Sequence, residues 1–514
     1  MPVDPAAPRR RRRLWLALAL GLAGGAPSAA GQSAPGGPTA RERPNILFVL
    51  ADDLGHGDPA YLGGSARTPH LDRLAAEGVR LTEHYATPQC TPSRAALLTG
   101  LFPSRLGDHA TKAFNGKVLP DSFPTLARAL ADLGYDTRIA GKWHVGVTFA
   151  DGPRRHGFAR AYGLLNGGCT AYGHFYKRPD SLTWFEDTAY LAEPGHVTDL
   201  LTAKVVSWVE EAAADGGGRP WFYYLPYSAV HIPVQVPPEW LATYRDSAWY
   251  ADPRLNAAAQ RYAAYLTQMD DGLGQVVAAL ERTGQRANTL IVFASDNGSP
   301  RDWVARGRYP DEGQEDAPVL GSNAPFRGWK REVYEGGIRV PAIASWPRGR
   351  ISAAALAEPT HLVDWYPTLV EAAGCDTCAA GLDGRSLLPA LRGEAAPAPP
   401  RDLYWKFPGA SALRYGDLKL VATTAPDGTP VRELYHVGED PLEQRDLALR
   451  PQNAHLVERL ALRLEAQRAA DVRVRRERVP YQADIEYGNL HLNPTGRIGA
   501  PADERAYHGQ PPPP

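Results

Sequence analysis

The chain is poor in cysteine, in net charge and in long apolar runs, and each shortage closes off a class of protein. Four cysteines, Cys90, Cys169, Cys375 and Cys378, are too few for a disulfide-built scaffold, so the fold rests on a buried core. Cys375 and Cys378 form a C-x-x-C, but no second pair and no histidine pair completes a zinc site, which leaves a small loop disulfide or two inert thiols. A formal net charge of -1 provides no global field toward nucleic acid or an anionic membrane, so neither is an expected partner and recognition of any anion has to be local. No segment approaches the ~20 apolar residues that cross a bilayer. No internal repeat is apparent.

What is present fits a large α/β unit with a smaller appendage, since 514 residues with 44% hydrophobic content exceed one small core. Residues 1–30 read as an export signal: Arg9 to Arg13 form a basic region, Leu14 to Ala23 a short apolar stretch, and Ser28-Ala29-Ala30 a small-residue cleavage site. The arginines fit a twin-arginine signal and an ordinary secretory one equally. The mature, secreted or periplasmic chain then starts near Gly31, with residues 31–43 as a flexible lead-in.

Asn45 to Ala51 is a continuous apolar run, as in a strand buried on both faces of a parallel sheet. Tyr135 to Ala140, Trp221 to Leu225 and Thr289 to Ser295 share its grammar, and helical patterns over Phe123 to Leu133, Leu200 to Ala213 and Arg261 to Arg282 lie between them. This alternation predicts a large, mixed, mostly parallel sheet flanked by helices over residues 44–399, with ligands bound beyond the carboxyl ends of the strands. After about Pro400, short pieces at Leu403 to Phe407, Leu418 to Ala422 and Glu433 to His436, then a charged helix from about Asn453 to Arg476, predict a smaller antiparallel subdomain over residues 400–480. Residues 481–514 read as an extended tail.

The chemistry gathers where those strands end. Asp52-Asp53 and Asp296-Asn297 each close a buried strand and offer hard oxygen ligands, which suit calcium or, second, magnesium. Singly, Asp-Asn-Gly reads as a turn and Asp-Asp as a solvated loop; jointly they read as a metal site. The sequon at Asn297 then makes a poor glycosylation site. Cys90-Thr91-Pro92-Ser93-Arg94 precedes Ala95 to Gly100. Pro92 suits the first turn of a helix running to Thr99, with Thr91 a candidate cap, so residue 90 lies at the positive end of the helix dipole, where an anionic ester is welcome. Lys142 and His144 in Gly-Lys-Trp-His, His231, and Lys330 in Gly-Trp-Lys supply point charges and proton carriers; a lone histidine is more often structural.

The segment from Cys90 to Gly100 resembles the signature of the formylglycine-dependent sulfatases, an arylsulfatase-like family of the alkaline phosphatase superfamily. Further similar stretches are Arg327 to Lys330, Tyr334 to Pro341, Gly416 to Leu420, and Glu433 to Tyr435 leading to Asp440-Pro441. The resemblance covers most of the mature chain. It implies that a maturation enzyme, formylglycine-generating or equivalent, oxidises Cys90 to an aldehyde. The hydrated aldehyde gives one hydroxyl to attack sulfur and a second whose deprotonation expels sulfate, an exit that serine lacks. It further implies one calcium ion on Asp52, Asp53, Asp296, Asn297 and residue 90. Lys142 and Lys330 would bind sulfate oxygens, Arg94 the diol, His144 would help break the sulfated diol, His231 with Lys330 would protonate the leaving alcohol, and Asp296 would be the activating base. Departures occur at Cys169 and Thr170, where many relatives place another polar residue, and at Arg331, where glycine is common.

The expected activity is hydrolysis of a sulfate ester on a glycan or a small aryl alcohol. Alternatives are a phosphate or phosphonate ester hydrolase of the same superfamily, and a secreted binding protein if Cys90 stays unoxidised. Two-metal phosphatases need further Asp and His ligands where this chain has lysines. His109, Lys112, His174 and Tyr176 follow the catalytic segments and are candidates for the pocket mouth, or plain surface.

Overall fold

Every residue from Ile46 to Ala51 is buried because the strand Asn45–Ala51 is covered on both faces. Ile46, Phe48 and Leu50 pack in one core with Leu97, Leu130 and Leu369, while Leu47, Val49 and Ala51 pack in a second with Leu71, Leu201 and Leu266. This two-sided covering is why the strand reads as an unbroken apolar run. The computed structural model describes residues 43–472, apart from 122, 178–180, 304–308, 310–319, 353 and 395–397. The expected signal and the tail lie outside the described residues.

Asn45–Ala51 sits near the middle of a ten-stranded sheet. Its five central strands, in spatial order Thr289–Ser295, Asn45–Ala51, Trp221–Pro226, Asp136–Lys142 and Arg160–Leu164, are all parallel, with Ile46 opposite Leu290 on one side and Phe222 on the other. Antiparallel strands extend both edges, Ala342–Ser345 at one and Trp184–Glu186 at the other. The parallel centre brings Asp52, Lys142 and Asp296 to the same end of the sheet.

The long helix begins at Pro253, earlier than the apolar pattern indicates, because Asp252 accepts from the first backbone N–H groups and Pro253 fits the first helical position. Its early Ala-rich turns carry little periodic signal. Gly141, beside Lys142, has φ +145°, and a Cβ there would lie 2.0 Å from the carbonyl oxygen of Pro226 in the neighbouring strand. Gly141→Ala is therefore expected to destabilise the protein by about 3 kcal/mol or more, seen as a lowered melting temperature and reduced soluble yield.

The C-terminal part is a four-stranded antiparallel sheet of Asp402–Phe407, Ala410–Tyr415, Leu418–Thr424 and Pro430–His436. Helix Ala454–Ala469 packs on it through Leu460 and Leu464. The second of these strands, Ala-Ser-Ala-Leu-Arg-Tyr, lacks a strong apolar run and goes unread in the sequence. Between this sheet and the large one, Lys419 is fully buried with Nζ 2.8 Å from Glu335 Oε1 and 2.9 Å from Glu443 Oε1. Cys375 and Cys378 form a disulfide, and Cys90 and Cys169 are free and buried.

Candidate active site

The helix carrying residue 90 spans Cys90–Thr99, with extended Gln89 as its cap residue and no side-chain cap bond. The expectation that Thr91 caps it is corrected. The lack of an N–H on Pro92 is tolerated in the first turn, where no helical acceptor exists, so the helix starts before Thr91. Thr91 Oγ1 instead accepts from Phe114 N at 3.2 Å, and Gln89 Oε1 accepts from Ala113 N at 2.7 Å. Residue 90 keeps its place at the positive end of the dipole. Burial pushes the Cys90 thiol up despite Lys142 and Lys330 nearby, so the cysteine itself is a neutral thiol and a poor nucleophile.

The two acidic pairs meet as their strand ends require. Asp53 N donates to Asp296 Oδ1 at 3.2 Å, Asn297 Nδ2 donates to Asp53 Oδ1 at 2.7 Å, and Leu54 N donates to Ser295 Oγ at 3.1 Å. Asp52 Oδ1 and Asn297 Oδ1 are buried with no hydrogen-bond partner, which is costly unless something else fills the demand. Hard oxygens left over in a buried acidic cluster fit a divalent cation of the calcium or magnesium type. Ligand atoms of His231, Asp52 and Asp53 also lie within 4.8 Å of one another, the one such group among the described residues. Burial, and then Asp52, raise Asp296 to about 6 against the pull of Arg94. Burial also pushes Asp53 up, but Lys330, His231 and Lys142 together hold it well below the usual carboxylate range.

Cations interleave with these carboxylates. Arg94, wholly buried, places NH2 2.8 Å from Asp296 Oδ2 and donates from NH1 to the carbonyl of Lys142 at 2.8 Å. Lys142 Nζ is 2.5 Å from Asp52 Oδ2, and Lys330 Nζ is 2.5 Å from Asp53 Oδ1. Burial works against the charge on Lys330, but Asp53 outweighs it and keeps the ammonium protonated. His231 Nδ1 lies 2.7 Å from the carbonyl of Ile232, leaving Nε2 turned toward Asp53 at 3.7 Å. Burial drives His231 down to about 3, against Asp53 and with help from Lys142 and Lys330. His144 is likewise held low, by burial first and then by Lys142 and Arg94. Both rings are neutral near pH 7, whereas Lys330 is an ammonium beside His231 and Asp53.

Asp53 and His144 have left-handed φ values of 63° and 56°, the kind of backbone strain that persists at functional sites. Gly167 lies so close to the His144 ring that a Cβ would approach it to 2.6 Å. Asp58 accepts from Gly55 N, Tyr262 OH and Ser322 N, fastening the loop after Asp53 to the segment that leads to Lys330.

All ten residues singled out in the sequence, from Asp52 to Lys330, thus converge on one site. Cys90, His144, His231 and Lys330 open into a cavity of about 310 Å³. Of the four mouth candidates, Lys112 and Tyr176 line it; His109 packs on Phe114, and His174 is buried against Trp184. Sequence reasoning missed Asn115, Lys177 and Phe407 on its wall. No motif marks them, and Phe407 comes from the hairpin of the C-terminal sheet.

Chemistry of this kind belongs to hydrolases acting on esters of a tetrahedral oxyanion, where cations grip the anion beside a reactive residue. Comparison with known proteins narrows that class. The family described as Sulfatase matches residues 44–375, and that described as N-sulphoglucosamine sulphohydrolase, C-terminal, matches residues 327–470. The chain is 33% identical to steryl-sulfatase of Mus musculus over 71% of this chain and 68% of that protein. It is also 33% identical to N-acetylgalactosamine-6-sulfatase of Canis lupus familiaris, over 71% and 69%. Among solved structures, Ps i-CgsB in complex with k-i-k-neocarrahexaose superimposes with a TM-score of 0.70 at 27% identity, covering 84% of this chain and 94% of that one. The chain belongs to the sulfatase family, and its reaction is hydrolysis of a sulfuric ester. Among the described residues, no helix is long and apolar enough to cross a membrane.

Proposed function

We propose that this protein is an exported, calcium-dependent sulfatase that removes sulfate from a carbohydrate through a formylglycine made from Cys90. The observation that carries this reading is residue 90 at the N-terminus of a buried helix, between two lysines and a cluster of hard oxygen ligands with two orphaned atoms. Asp52, Asp53, Asp296 and Asn297 would hold the ion, which when bound supplies positive charge to the sulfate oxygens and to the oxygen on residue 90. Lys142 and Lys330 orient the sulfuryl group as fixed point charges. Arg94, locked between Asp296 and the carbonyl of Lys142, holds the attacking oxygen in line. Asp296, fixed at the strand end against Arg94, is the carboxylate placed to accept a proton from that oxygen. Lys330 is poised to protonate the leaving alcohol, with His231 beside it as a neutral partner whose affinity for a proton rises as the anionic ester enters. His144 serves the later release of sulfate. A maturation enzyme supplies the aldehyde, and the N-terminal signal supplies export. The carbohydrate preference is supported by relatives whose names specify N-acetylgalactosamine 6-sulfate or whose structures hold a neocarrahexaose.

The test is release of inorganic sulfate from sulfated saccharides and a chromogenic aryl sulfate, using protein whose residue 90 is about 18 Da lighter than cysteine by mass spectrometry. Sulfate release from saccharides supports the reading. Cleavage only of phosphate or phosphonate esters sinks it, and release only from the aryl ester removes the carbohydrate assignment. Chelation of divalent ions is expected to lower turnover at least about 100-fold, with recovery on adding calcium. Full activity in excess chelator would eliminate the metal.

A further inference from the structure

Beyond its reactive floor, the active-site cavity carries three cations, Lys112, Lys177 and Arg331, and no carboxylate among the described residues of its wall. Inside the site each lysine is matched by an aspartate, but neither Lys112 nor Arg331 has an ion-pair partner among the described residues. Among the described residues, the lip is therefore more positive than binding of one sulfate requires.

Two further observations indicate a ligand there. Arg331 has φ +76°, a conformation that glycine takes freely and arginine does not. Its backbone is held by a hydrogen bond from its N to the carbonyl of Pro88 at 2.7 Å, so an arginine is carried next to Lys330 where a strain-free residue would serve the backbone equally. Asn115, 4% exposed, is fixed by a 3.0 Å bond from Nδ2 to Tyr176 OH, and its Oδ1 is buried without a partner. Lys112 and Asn115 are held firmly, since the loop between them is bonded to Gln89 and Thr91 of the nucleophile helix.

Resting on the sulfatase reading above, we infer that Arg331, with Lys112 and Lys177, forms a subsite for a second anionic group on the alcohol half of the substrate, and that Asn115 receives a hydroxyl or amide N–H beside it. The substrate class is then an acidic saccharide bearing, besides the scissile sulfate, a further sulfate or a carboxylate. A sterol or simple aryl alcohol offers these cations nothing. The larger cavity beside the C-terminal sheet, about 470 Å³, makes no comparable case, because Arg385, Arg401 and Arg414 on its wall are each paired with a carboxylate.

The test is the ratio of kcat/KM for matched saccharides: one with a single sulfate, the same sugar with a second sulfate, and the same sugar with a carboxylate. The wild-type enzyme is expected to favour a doubly anionic sugar by about tenfold to a hundredfold, the range of a charge-assisted contact. Which of the two is preferred identifies the second anion. Arg331→Gly, which relieves the backbone strain, and Lys112→Ala are each expected to lower that ratio about tenfold, chiefly through KM, while Arg331→Lys retains most of it. A wild-type ratio near one, or ratios unmoved in both variants, overturns the subsite while leaving the sulfatase reading intact. Failure of the wild-type enzyme to release sulfate from any ester overturns both.

Discussion

Cys90→Ala is expected to abolish sulfate release, with a loss on the order of a million-fold, the scale reached when a covalent nucleophile is deleted. Cys90→Ser is expected to fail differently. Its hydroxyl faces the same two lysines at the same helix end, so it can attack sulfur once, but it has no second hydroxyl with which to expel the sulfate. Incubation with substrate should then leave a stoichiometric adduct about 80 Da heavier than the free protein, visible by intact mass spectrometry and absent in the alanine variant. Steady turnover by either variant would show that residue 90 is not the attacking group. An unmodified cysteine cannot take over the role, because burial holds its thiol neutral.

Lys419→Ala is expected to cost about 3–5 kcal/mol of stability at pH 8, the range for removing one partner from a buried ion pair. Lys419 lies between Glu335 and Glu443, and all three side chains are fully buried. Burial pushes Glu335 up, but Lys419, Arg339 and Arg414 outweigh it and hold it down at about 2. Its folded pKa is below its unfolded one, so its stabilisation is present above about pH 4.5 and is lost as pH falls toward 2. Without Lys419, Glu335 keeps Arg339 and Arg414, but Glu443, which burial already raises to about 7 against the pull of Lys419, is raised further and destabilises progressively as pH rises. The deficit in Lys419→Ala should therefore be smaller at pH 5 than at pH 8, where protons no longer substitute for the lysine. Equal melting of variant and parent at both pH values would show that the clamp contributes nothing.

Much of this was legible before any coordinates. The strand Thr289–Ser295 begins and ends as its apolar run indicates, because strands covered on both faces leave an unbroken signal. The polar residues at the ends of those strands were legible for the same reason, since a parallel sheet places its strand ends together. The cap at Thr91 was misread because the cost of Pro92 depends on which turn it occupies, and spacing alone does not reveal the turn. Asn115, Lys177 and Phe407 were unreadable because a cavity wall is assembled from segments distant in sequence. Arg331 was visible as a departure, but only its left-handed backbone and its place on the lip give the departure a meaning.

Every residue of helix Cys90–Thr99 is buried, and Cys90 itself is 3% exposed. On the proposed reading, an enzyme that oxidises Cys90 and reads the chain through Arg94 could not grip these residues in the folded protein, so the modification would have to be made while the chain is still open. Synthesis would then be a race: a molecule that closed its core first would be sealed with a thiol, and no later encounter with a maturation enzyme would recover it without unfolding. The fraction of active molecules in a preparation would then be set by the kinetics of the producing cell, and two samples of identical fold and purity would differ in specific activity.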